Sequence, residues 1–259
     1  MFILGIVGSP RKNGRTNKLV EAALKGAESK GAEVQKVYLV DYNIKSYTGE
    51  LEGWSAVKKA HLYCPEELSR ICNEADAIVL GAPVYWGDIN GLTKDFMDSV
   101  KIDDSNGKYA LGISIAGGTG KGLLSGIQSI YHFFFHKQFR GIDPTPVSRF
   151  NFQEALKLLK ERGGKIAELS RERSPFPGET TDERWAYVTA HYASLEYLRC
   201  DMVDEFVMLA KDLIKLSKGG DVNKAKKELD EALRLIAEGK RTEAAKHAVR
   251  SYQTLYFPP

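Results

Sequence analysis

Gly8-Ser9-Pro10-Arg11-Lys12-Asn13-Gly14-Arg15-Thr16-Asn17 follows an apolar run, Phe2 to Val7, and precedes a segment with Leu19, Val20, Ala23, Leu24 and Ala27 at helical spacing. A run apolar on both faces reads as a central buried strand. A strand that ends in small, hydroxylic and basic residues and then opens a helix makes an anion site. The helix N-terminus offers unpaired N–H groups and a partial positive charge. Ser9, Thr16 and Asn17 can donate hydrogen bonds, Arg11 or Arg15 can neutralise charge, and Gly14 lets the backbone turn close to a ligand. The loop lacks the Gly-Lys-Ser/Thr ending of a Walker A loop and the G-x-G-x-x-G of a dinucleotide fingerprint.

Outward from this loop, Val34–Val40, Ala77–Leu80 and Tyr109–Ile115 read as further strands, with a helical pattern after each of the four, the third carrying Leu92, Phe96, Met97 and Val100 on one face. An irregular stretch runs to about Tyr63, and a helix starts at Pro65-Glu66-Glu67. A fifth strand is expected over Ile142–Phe150, although Pro144 and Pro146 disfavour a central position. Alternation of strands and helices predicts a doubly wound parallel sheet, an α/β fold whose ligands sit at the carboxyl ends of the strands. Two more loops there are rich in small residues: Gly81-Ala82-Pro83-Val84-Tyr85-Trp86-Gly87 and Ala116-Gly117-Gly118-Thr119-Gly120-Lys121-Gly122. Gly120-Lys121 lacks the hydroxyl that a Walker A loop places on magnesium. Tyr85 and Trp86 suit a flat ring ligand, or else cap the core or a subunit contact.

From about Phe152 the pattern is helical only, so residues 1–151 are expected to form the α/β domain and 152–259 a helical C-terminal extension. The extension includes a helical pattern over Glu183–Ser217, an amphipathic helix over Asp221–Glu238 and another over Arg241–Tyr252. The formal charge of the 259-residue chain is +3, with basic and acidic residues balanced in both halves, which argues against nucleic acid as a partner. No apolar stretch approaches the ~20 residues of a membrane span, and no signal peptide is evident. Three cysteines, Cys64, Cys72 and Cys200, are too few for a disulfide framework, so a cytoplasmic location is expected. His132 and His136 lie four apart among phenylalanines and read as packing or interface residues, and no metal site is expected.

Three motifs together resemble the NADPH-dependent FMN reductase family. They are the 8–17 loop; Ala75 to Gly87 followed by Leu92-Thr93-Lys94-Asp95-Phe96-Met97-Asp98; and, less specifically, the Gly117–Gly120 loop. The resemblance covers roughly residues 1–125 and extends to the iron–sulfur flavoprotein branch. It implies a flavodoxin-like fold with FMN across the carboxyl ends of the strands. By carry-over, Ser9, Arg11, Asn13, Thr16 and Asn17 would hold the phosphate. Pro83, Val84, Tyr85, Trp86 and Gly87 would line one side of the ring, and Gly117, Gly118, Thr119 and Gly120 the other edge. NAD(P)H is implied as co-substrate, with a quinone, flavin, metal ion or protein as electron acceptor, and a homodimer or homotetramer as the assembly. No catalytic side chain is implied, because the cofactor does the chemistry.

The chain departs from the iron–sulfur branch in having no cysteine between Asp41 and Tyr63. Three cysteines at these spacings cannot supply four thiolates, so no iron–sulfur centre is expected. Two other functions compete with an FMN oxidoreductase: a flavodoxin-like electron carrier without NAD(P)H activity, and a scaffold or regulatory protein with a vestigial flavin site.

Overall fold

The computed structural model describes residues 1–47, 63–217 and 221–256. Most of the irregular stretch expected before Tyr63 lies outside the described residues. β1 (Phe2–Val7) sits between β2 (Glu33–Tyr38) and β3 (Ala77–Tyr85), parallel to both. β5 (Tyr109–Ala116) continues the sheet beyond β3. The short β4 (Asp88–Ile89) folds back antiparallel on the end of β3.

The expected fifth strand is present in two pieces, β6 (Arg140–Gly141) and β7 (Thr145–Ser148), both parallel to β5. Pro144 falls in the gap. Pro146 lies in β7, whose only described partner is β5, so about half of its backbone groups need no ladder partner. The order β2-β1-β3-β5-β6 reverses direction between β1 and β3, which opens a crevice at their carboxyl ends.

Side chains alternate across the sheet. Ile3, Val7, Val79, Leu111 and Ile113 face one apolar cluster, and Leu4, Ile6, Ile78 and Leu80 face the other. The first cluster is covered by α1 (Arg15–Glu28) and α5 (Phe152–Leu169). These two helices meet backbone to backbone: a β-carbon on Gly26 would stand 1.9 Å from the Lys160 carbonyl oxygen, and one on Gly163 would stand 1.8 Å from that of Ala23.

The other face carries α2 (Glu66–Glu74), α3 (Gly91–Ser99) and α4 (Leu123–His136). Four further helices close over this side: α6 (Thr181–Ser194), α7 (Met202–Leu216), α8 (Val222–Ala237) and α9 (Arg241–Tyr256). Val188, Leu209, Leu213, Leu229, Ala248 and Tyr252 join the same apolar cluster as the sheet, so the C-terminal helices are continuous with that core. The helical pattern over 183–217 divides into α6 and α7. Tyr197 breaks it at φ 67°, and Gln128 on α4 holds the break by donating to the carbonyls of Tyr197 (3.0 Å) and Cys200 (2.7 Å). His132 and His136 are exposed on α4, with the His136 ring edge-on to Phe135. No helix among the described residues is long and apolar enough to cross a membrane.

Candidate functional site

The loops after β1, β3 and β5 enclose a cleft of about 820 Å³. Ser9, Arg11, Asn13 and Thr16 line it from the first loop; Pro83, Val84, Tyr85, Trp86 and Gly87 from the second; and Gly117, Gly118 and Thr119 from the third. Twelve of the fourteen residues expected at the site thus meet at one cleft. The other two do not line it. Asn17 donates to Glu21 (3.1 Å) and accepts from the Tyr38 hydroxyl (3.2 Å). Lys36 also hydrogen-bonds Glu21 and holds its carboxyl below its ordinary value. Gly120 is buried against Leu209 and Phe150.

The first loop is shaped by Ser9, whose hydroxyl accepts from the Arg11 N–H (3.1 Å). At Gly14 a β-carbon would press on the Arg11 carbonyl oxygen at 3.0 Å, so glycine lets the turn close without that crowding. Gly14 is the N-cap of α1; no side chain caps that end, and the first turn has no acidic residue. This is an open, positively polarised helix terminus. Three more cations line the cleft: Arg15, which the sequence offered as an alternative to Arg11, and Lys18 and Lys121, which sequence reasoning missed. With Arg11 they make four, no carboxylate lines the cleft, and none of the four has a carboxylate partner among the described residues. Lys12, by contrast, is drawn away to Asp41 at 2.6 Å.

The second loop is a tight hairpin between β3 and β4. Trp86 (φ 53°) and Gly87 (φ 92°) both take the left-handed backbone that two-residue hairpins favour. That conformation is uncommon for a bulky side chain. Trp86 is fully exposed, at 106% of its reference area, and Tyr85 is 43% exposed. Neither caps the core of this chain.

The three loops brace one another. Asn90 donates to the Gly8 carbonyl (2.9 Å), and Thr93 donates to Asn90 (2.7 Å) and toward Gly8 (3.3 Å), tying the second loop to the first. The Ser125 hydroxyl donates to the Gly87 carbonyl, tying α4 to the second loop. Glu205 and Tyr252, on the C-terminal helices, hold the third loop. No local signal marks either residue, since both act across more than 80 positions.

The donor set fits a phosphorylated ring compound such as FMN. The first-loop end of the cleft carries Arg11, Arg15, Lys18 and an uncapped helix terminus, while Lys121 stands on the third loop. At Gly87, Gly117 and Gly118 a β-carbon would touch nothing within 4 Å, so the walls there are backbone with open space before them.

Solved structures share this fold. RosB with a bound 8-demethyl-8-formylriboflavin-5'-phosphate matches 78% of this chain and 92% of its own, with TM-score 0.54 and 15% identity. A flavone reductase matches 72% and 70%, with TM-score 0.52 and 18% identity. Among relatives, an iron-sulfur flavoprotein of Archaeoglobus fulgidus is 35% identical over 198 residues, covering 71% of this chain and 86% of the relative. An NADPH azoreductase of Bacillus sp. (strain OY1-2) is 26% identical over 191 residues, covering 74% and 94%.

None of the three thiols of this chain lines the cleft. Cys64 and Cys72 are fully buried in the apolar cluster beneath α2, where desolvation raises both thiols above their ordinary range, and Cys200 stands apart, just before α7. The profile of the NADPH-dependent FMN reductases matches residues 1–141, and with the shared fold, the cleft and the 35% identical relative, it establishes that this chain belongs to that family.

Proposed function

We propose that the protein is an FMN-dependent oxidoreductase that uses NAD(P)H as reductant, passes electrons to a small-molecule or protein acceptor, and works without an iron–sulfur centre. The observation that carries this reading is the charge of the cleft: four cations and an uncapped helix N-terminus meet exposed aromatic residues, with no carboxylate among them. Arg11, Thr16 and the first-turn N–H groups of α1 would hold the phosphate. Tyr85 and Trp86 would flank the ring. The strained, fully exposed Trp86 favours this role, because such a backbone persists where the site needs it. When bound, FMN supplies two-electron chemistry, accepting a hydride from a reduced nicotinamide and releasing electrons to the acceptor. The chain's part is to bind the cofactor, orient it and keep one face open to the second substrate.

The purified protein should be yellow, with no acid-labile sulfide, and its flavin bands should bleach when NADPH or NADH is added without oxygen. Bleaching by dithionite alone would instead support an electron carrier. Colourless protein that does not take up FMN would refute the flavoprotein reading. Changing Arg11 and Thr16 to Ala should weaken FMN binding roughly tenfold or more and riboflavin binding much less. Equal losses for both ligands would show that the loop does not read phosphate.

A further inference from the structure

The helices beyond the sheet grip the third loop of the cleft at several points. Glu205, in the first turn of α7, is buried and accepts from the backbone N–H groups of Gly122 (2.8 Å) and Leu124 (3.0 Å). It therefore caps the N-terminus of α4, where Gly122 at φ 88° has no side chain of its own to do so. A carboxylate is costly to bury alone, but here two charged hydrogen bonds and the end of a helix offset that cost. From α9, the Tyr252 hydroxyl donates to the Thr119 carbonyl at 2.9 Å. Burial pushes that hydroxyl up to about 12, so it remains a donor through neutral pH. Lys121 lies over the rings of Phe206 (5.3 Å) and Tyr252 (5.9 Å), which fixes its ammonium at the cleft wall. Gly120 leaves room for Leu209 of α7, because a β-carbon there would stand 2.7 Å from it. Four contacts of different kinds thus converge on residues 119–124.

This loop needs such support. Gly118, Gly120 and Gly122 all have positive φ, and glycine loses the most conformational freedom on ordering. We propose that α7 and α9 form a clamp that holds the glycine-rich wall in its ligand-ready shape, with Glu205 and Tyr252 as positioning residues for the ring end of the cleft. The proposal rests on the reading that the cleft binds FMN. Because the clamp acts on the ring end, it should affect flavins with and without a phosphate alike, whereas Arg11 and Thr16 act on the phosphate.

The test is fluorescence titration of FMN and of riboflavin into the apoproteins of wild type, Glu205→Ala, Glu205→Gln and Tyr252→Phe, with circular dichroism and melting of each. Glu205→Ala should weaken both flavins about tenfold and Tyr252→Phe several-fold, with equal ratios for the two ligands. Glu205→Gln keeps one carbonyl acceptor and should fall between Glu205→Ala and wild type. Tyr252→Phe should keep its native circular dichroism, so its loss cannot be assigned to unfolding. If Glu205→Ala fails to fold, Glu205→Gln and Tyr252→Phe decide the matter. Folded variants that bind both flavins within twofold of wild type, or that lose FMN while keeping riboflavin, would overturn the clamp. Wild type that takes up neither flavin would instead overturn the FMN reading.

Discussion

Removal of the Asn90 side chain should weaken both the fold and the cleft. Asn90 is 3% exposed at the N-cap of α3. Its amide donates to the Gly8 carbonyl at 2.9 Å, and its oxygen accepts from Thr93 at 2.7 Å. Each buried hydrogen bond is worth about 1 kcal/mol net, and a buried group left unpaired costs about 1–3 kcal/mol. Asn90→Ala removes both bonds, but it frees the Thr93 hydroxyl, already 3.3 Å from Gly8, to serve that carbonyl fully. The expected loss is therefore about 2 kcal/mol, or roughly 4–8 °C in melting temperature for a chain of this size. Thr93→Val alone should cost about 1 kcal/mol, because Asn90 still serves Gly8. The double variant orphans the Gly8 carbonyl and should cost about 1 kcal/mol more than the two single changes added together. Urea denaturation of the four apoproteins by circular dichroism measures this cycle. Additive losses, or a single Asn90→Ala loss under about 0.5 kcal/mol, would refute the idea that these side chains brace the first two loops.

Two neighbouring glycines of α5 should respond oppositely. In an ordinary helix, Gly→Ala stabilises by about 1 kcal/mol. Gly163→Ala would drive a β-carbon to 1.8 Å from the Ala23 carbonyl and should destabilise by more than about 3 kcal/mol, read as lost soluble yield or a lower urea midpoint. Gly164→Ala meets the Lys30 side chain at 3.5 Å and the Gly26 carbonyl oxygen at 3.7 Å, both ordinary contacts, and should be neutral or mildly stabilising. Asp212, half-buried on α7, has its carboxyl raised by desolvation to about 6. Its folded value lies above its unfolded one, so the native state binds more protons between about pH 4 and 6, and stability from this group falls as pH rises through that window. Asp212→Asn should therefore stabilise the protein by about 1 kcal/mol at pH 7.5, after allowing for solvent screening, and the gain should vanish near pH 4. A gain of equal size at both pH values would rule out the carboxylate as its source.

The parallel sheet and the first two loops were legible in the sequence because their signals are local. A continuous apolar strand, a turn of small and basic residues and a helix start lie within the first 20 residues, and backbone geometry brings them together whatever the rest of the chain does. The prolines at 144 and 146 rightly warned against a central strand, and the sheet answered by breaking the fifth strand at its edge. The division between α6 and α7 was not legible, because Tyr197 gives no local sign of a left-handed backbone and the Gln128 bonds that hold it come from a helix some 70 positions earlier.

The sequence by itself therefore determined the order of strands, the side of the sheet at which the cleft opens and most of the residues that line it, since each loop follows from signals within a few positions. Only the tertiary structure decided the rest. Gly163-Gly164 reads locally as weak helix, yet the first of the pair lets α1 and α5 touch along their backbones. Asn17 does not line the cleft, and its side chain pairs with Tyr38 and Glu21. Glu205 and Tyr252 read as ordinary residues of amphipathic helices, yet they brace one wall of the cleft. Such roles depend on which surfaces meet across long sequence separations, and packing sets those meetings where local periodicity cannot.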